Sequence, residues 1–139
     1  MLQRLALLLI LFVIPQQSHA CERAFRSGLA SFADADRRLR DTERALYSGL
    51  GWASRSAVLD RLEALSARTT ACQEVDAQID NLIRAARQLT RAEQNFRLAR
   101  TLCILENQTR ADQNLEALTD TARAVQVQRD YLDTLRDRC

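Results

Sequence analysis

Very little in this chain can turn a backbone. Its 139 residues contain one proline, Pro15, and three glycines at positions 28, 49 and 51. A β-sandwich or a doubly wound α/β fold needs turn residues at every connection, and this supply cannot meet that demand. The rest of the sequence is rich in Ala, Leu, Arg, Gln and Glu, all good helix formers. The expected fold is therefore all-α: an elongated up-down-up bundle of three long helices with coiled-coil-like packing.

Residues 1–20 read as an address. Met1-Leu2-Gln3-Arg4 is followed by the apolar run Leu5–Ile14 and then by Pro15-Gln16-Gln17-Ser18-His19-Ala20. A basic start, a short apolar core and small residues three and one places before the next segment make a secretory signal, with cleavage expected after Ala20. The run is about ten residues, where a spanning helix needs roughly 20, so no membrane-spanning segment is expected after cleavage. The signal takes the only proline and the only histidine with it. The remaining residues, 21–139, are read as a single disulfide-braced helical domain.

Within that domain Phe25, Leu29, Phe32, Leu39 and Leu46 recur at helical spacing and predict a first helix from about Glu22 to Tyr47. Five acidic residues precede an arginine by four: Glu22–Arg26, Asp34–Arg38, Asp36–Arg40, Asp80–Arg84 and Glu93–Arg97. This is the favourable order for helix surface pairs, each contributing ~0.3 kcal/mol. Gly28, inside that helix, costs it about 1 kcal/mol relative to alanine and offers close approach to a neighbour. Ser48-Gly49-Leu50-Gly51 is the one glycine cluster and predicts a turn. A second helix is expected from near Ser54, with Val58, Leu62 and Leu65 inward. At residues 66–70 the pattern weakens, and a kink, a new helix from a Thr70–Gln73 capping box, and a continuous helix all fit. The stripe then runs through Val75, Ile79, Leu82, Ala86, Leu89, Phe96 and Ala99 to Cys103. A turn is expected at Leu105–Asn107, with Asn107 ending the helix. The last helix carries Ala111, Leu115, Leu118, Ala122, Val125, Leu132 and Leu135, with no turn at Thr119–Thr121.

The four cysteines, Cys21, Cys72, Cys103 and Cys139, are an even number in a chain expected to be exported, as two disulfides require. Cys72 and Cys139 lie equally far, within a residue, on either side of a turn at Leu105–Asn107. With the first helix parallel to the last, Cys21 falls near Cys103. The layout thus favours Cys21–Cys103 with Cys72–Cys139; the competing pairing, Cys21–Cys72 with Cys103–Cys139, needs a turn near Thr121. A lipid anchor on Cys21 is the weaker alternative, because Ser18-His19-Ala20 lacks the upstream leucine of lipoprotein signals and lipidation would strand one thiol.

Chemistry is sparse. No C-x-x-C is present, so neither a thioredoxin-type pair nor a zinc ribbon is indicated. The mature chain has no histidine for a Ser/His/Asp set and no glycine-rich phosphate loop. No catalytic residue, cofactor or metal is implied, and no enzyme is expected. Basic residues number 20 against 18 acidic ones, too near balance to argue for nucleic acid. All the basic residues are arginine, which fits a GC-rich bacterial genome. Glu93 falls near the apolar stripe, and pairing with Arg97 is its simplest role. Thr90–Phe96 and Thr109–Leu115 match at five of seven positions, a pattern equally open to chance and to two equivalent binding faces. Trp52, beside the glycine turn, is the candidate interaction anchor, against a role as a lid on the bundle end. The functional expectation is an exported, periplasmic or secreted helical scaffold or adaptor acting by binding an envelope protein or by self-association. Two other readings stay open: a small-molecule or metal carrier with an interhelical pocket, and a lipid-anchored envelope protein or inhibitor.

Overall fold

A computed structural model describes residues 2–46 and 65–139, with side chains for 19–46 and 69–139. Three helices pack together: α1 (Leu2–Arg44), α2 (Leu65–Leu102) and α3 (Glu106–Arg136). The order is up-down-up, and no strand occurs among the described residues. Helix α2 is the central element. It packs along both neighbours, whereas α1 and α3 approach each other only slightly. The glycine turn at Gly49–Gly51, Trp52 and the expected helix start near Ser54 lie outside the described residues.

Why α2 sits in the middle follows from its residues. Ala71, Val75, Ile79, Leu82, Ala85, Leu89, Ala92, Phe96, Ala99 and Cys103 are all buried, a stripe with steps of three and four unbroken over nine turns' worth of chain. Residues 66–70 are helical and belong to α2, which is described from Leu65 onward, so no helix starts at Thr70. The Thr70–Gln73 box caps nothing, because helix-forming residues precede it and no breaker separates them.

Three sequence expectations need correction. Helix α1 begins at Leu2 instead of Glu22, because the Leu-rich run is itself helix-forming and continues in phase through Ala20. Leu29, expected inward, is 40% exposed, since the line of α1 that meets α2 is made of small residues: Cys21, Ala24, Gly28, Ala35 and Thr42, with Leu39 and Leu46 at one end. Asn107 does not end a helix. Helix α2 stops at Leu102, the turn is Cys103-Ile104-Leu105, and Asn107 stands in the first turn of α3. In addition Ala122 is exposed and Leu115 half-buried, because α3 presents one line of residues and not a full two-position seam.

That small-residue line lets α1 approach closely. A Cβ added to Gly28 would stand 2.7 Å from Cε1 of Phe96, whose ring is fully buried. Phe25 then meets Phe96 edge-on, with centroids 5.8 Å apart, a favourable aromatic geometry. Four of the five expected acid–arginine pairs form, namely Glu22–Arg26, Asp34–Arg38, Asp36–Arg40 and Glu93–Arg97. Glu22–Arg26, Asp36–Arg40 and Glu93–Arg97 sit on exposed or half-exposed faces, so they support the helices more than the tertiary fold, whereas Asp34–Arg38 is mostly covered.

Candidate interaction surface

The bundle is stapled at both ends. Cys21 is bonded to Cys103 with 5.0 Å between their Cα atoms, and Cys72 to Cys139 with 5.8 Å. Both pairs join α2, or its final turn, to a neighbouring element, so each flanking helix is tied to the central one. The sulfur that a lipid anchor would need on Cys21 is bonded to Cys103.

Between the staples, α1 and α2 are locked by a polar cluster. The Asn81 side chain donates to the Arg38 carbonyl at 3.0 Å and to the Thr42 hydroxyl at 3.1 Å, and accepts from Arg38 Nη1 at 3.0 Å. Thr42 is fully buried, so its hydroxyl needs this partner. Arg38 also donates from Nε to Asp34 at 2.9 Å. That hydrogen bond holds Asp34 below the usual aspartate range; partial burial opposes the shift, and the charges of Arg38 and Arg37 reinforce it. Apolar spacing does not announce this cluster; its one signal in the sequence is a threonine at an inward heptad position of α1.

The α2–α3 side is different. A groove of about 600 Å³ runs between the two helices, floored by Leu89, Leu115, Leu118 and Val125. Glu93 accepts from Arg97 at 2.8 Å and 3.0 Å on one wall, and Arg100 bridges to Asp112 at 3.0 Å across the helices. Glu93 is thus paired with Arg97 and half-exposed, not an isolated buried acid. The two similar segments meet here: Thr90 and Glu93 of the first line one wall, and Asp112 and Leu115 of the second line the other. Sequence similarity alone could not place them on one groove, because they belong to antiparallel helices.

A second cavity, about 780 Å³, opens beside the Cys21–Cys103 bridge, with Phe25, Leu29, Leu102 and Ile104 among its lining residues. The Arg110 guanidinium lies over the Phe25 ring at 5.5 Å, a cation–π contact. At the adjoining turn Ile104 is 77% and Leu105 81% exposed, and Leu105 has a left-handed φ of 53°. The sequence placed Leu105 in the expected turn but did not single out this exposed pair, although the two are the aliphatic residues that fall outside both stripes.

No group of His, Cys, Asp and Glu suited to a metal ion occurs among the described residues, and no described helix is long and apolar enough to cross a membrane. Comparison with protein-family models, curated proteins and solved structures finds no match.

Proposed function

We propose that this chain is an exported cell-envelope scaffold or adaptor that acts by binding an amphipathic helix of another protein along the α2–α3 groove, without catalysis. The carrying observation is the groove itself. Its floor is aliphatic, its walls carry the ion pairs Glu93–Arg97 and Arg100–Asp112, and it follows the helix axes. A helix laid there would bury apolar side chains at helical spacing against Leu89, Leu115 and Val125 while its flanks met charged rims. Two disulfides fit an oxidising compartment.

Ala122 is exposed on the groove rim, so it is replaceable without disturbing the core. A photo-crosslinking amino acid in its place should capture one discrete partner in cells, or a second copy of the chain. The same group in place of Arg87, an exposed residue of α2 off the groove, should capture neither. Ala122→Arg should abolish the adduct made by a crosslinker at the neighbouring Thr119. A strictly monomeric protein with no adduct from Ala122 would sink the reading.

A further inference from the structure

The two disulfides of this bundle differ in what surrounds them. Cys21 and Cys103 are 7% and 5% exposed, even with a cavity opening beside them. Cys103 packs in one buried cluster with Ala24, Ala99 and Ala111. None of those three belongs to residues 1–20, so the cover over Cys103 does not depend on the signal segment. Cys139, by contrast, is exposed, and its partner Cys72 is half-buried against the main core.

Why Cys139 is open follows from where α3 stops. The helix ends at Arg136, and residues 137–139 continue past it. Their backbone bonds reach back only three or four residues: Asp137 donates to the Asp133 carbonyl, Arg138 to that of Leu135, and Cys139 to that of Arg136. Leu132 and Leu135 are the last buried residues of α3, and beyond them the bond to Cys72 ties the chain to α2. Thiol–disulfide exchange needs a thiolate to reach a sulfur along the line of the bond, and a covered sulfur reacts only after the fold opens over it. At Cys139 no such opening is needed.

We propose that the Cys72–Cys139 bridge is a site of reversible thiol–disulfide exchange with a dithiol oxidoreductase, Cys139 being the sulfur attacked, while Cys21–Cys103 is the permanent brace. A thiolate of the dithiol bonds to Cys139 Sγ; the Sγ–Sγ bond breaks, and its electron pair leaves on Cys72, which takes up a proton. The second thiol of the reductant, deprotonated, then attacks its own partner sulfur and expels Cys139 as a thiolate, which is protonated in turn. The bridge has gained two electrons and two protons, and the dithiol has become a disulfide. The far end of α3 is then held to α2 by Leu132 and Leu135 without its covalent tie, so one wall of the α2–α3 groove loses its fixed end. Any effect on a helix bound in that groove rests on the reading proposed above; the exchange itself does not.

The test uses the chain as the cell exports it, with both disulfides formed and no denaturant. Timed exposure to dithiothreitol, followed by N-ethylmaleimide and peptide mapping by mass spectrometry, should label Cys72 and Cys139 about tenfold faster, or more, than Cys21 and Cys103. Glutathione, a monothiol, should leave its adduct on Cys139 and the maleimide on Cys72. In the partly reduced protein, hydrogen exchange at residues 125–136 should rise about tenfold or more while α1 stays protected. Oxidised glutathione should restore the Cys72–Cys139 bond. Equal rates at the two bridges, prior reduction of Cys21–Cys103, or an adduct confined to Cys72 overturns the proposal. So does unchanged exchange in α3, or a chain that unfolds whole once Cys72–Cys139 is cut. None of these readouts involves a partner, so a groove that binds nothing leaves them standing.

Discussion

Helix α2 offers the same kind of face to both neighbours, and they use it differently. Toward α1 the contact is close: small residues, the Gly28–Phe96 approach, and a buried threonine satisfied by Asn81. Toward α3 it is spare. Through most of its length α3 buries one residue in seven, Ala111, Leu118, Val125 and Leu132, and adds Leu135 in its last turn. The alternate inward positions are Asn114, Thr121 and Gln128, and the first two turn their polar groups onto the carbonyls of Arg110 and Ala117. A seam that buries half as much per turn leaves a groove, the surface proposed above for a partner helix. Tight packing on one side supplies the rigidity that permits loose packing on the other.

The largest expected effect comes from cutting the staple on the loose side. Replacing Cys72 and Cys139 together by serine removes a closure over a sequence separation of 67 and should cost about 4 kcal/mol in the chain-entropy model. Urea unfolding measures the loss. Hydrogen exchange should show α3 amides opening well before those of α1; equal acceleration of both would erase the contrast between the two interfaces.

The tight side is probed next by removing its polar lock. Asn81→Leu leaves the buried Thr42 hydroxyl without its donor and should cost about 1–3 kcal/mol. Thr42→Val in that background should restore part of the loss, and a double-mutant cycle with no coupling would mean the cluster does not fasten the helices.

Gly28→Ala sets two effects against each other. Helix propensity favours alanine by up to about 1 kcal/mol, while a Cβ 2.7 Å from the buried Phe96 ring forces overpacking of about 1–3 kcal/mol. Overpacking should win, with net destabilisation of about 1 kcal/mol by thermal or urea unfolding. A stabilised variant would show that the approach is slack.

Smallest is the acid response of Asp34. Because its folded carboxyl titrates below the ordinary range, its contribution is complete above the unfolded pKa and is lost as pH falls through the lowered folded one. Asp34→Asn should flatten stability against pH across that acid window and change little near neutrality in slope. An unchanged acid slope would remove Asp34 from the account.

Much of the architecture was legible in the chain. The shortage of turn residues, the stripes of α2 and the unbroken run through Thr119–Thr121 all predict what is observed, since periodic burial is a local property repeated along one helix. The half-filled seam of α3 was harder to read. Leu115 and Ala122 have the right spacing for a core line, yet one is half-buried and the other exposed, because spacing does not say how near the next helix comes. Asn81 looks like any surface amide until Thr42 is placed opposite it. The left-handed Leu105 left no trace at all, for leucine is the residue least suggestive of that conformation.

The sequence by itself determined that the chain is helical, which stripes of α2 and α3 turn inward for most of their length, and that its four cysteines have a spacing two end staples can satisfy. These follow from propensity and periodicity, which act over a few residues. Only the tertiary structure decided that α1 seats tightly and α3 loosely, that the two similar segments wall one groove, and that Ile104 and Leu105 stand exposed at the turn between α2 and α3. Those depend on distances between residues far apart in the chain, which hydrophobic spacing on one helix does not encode.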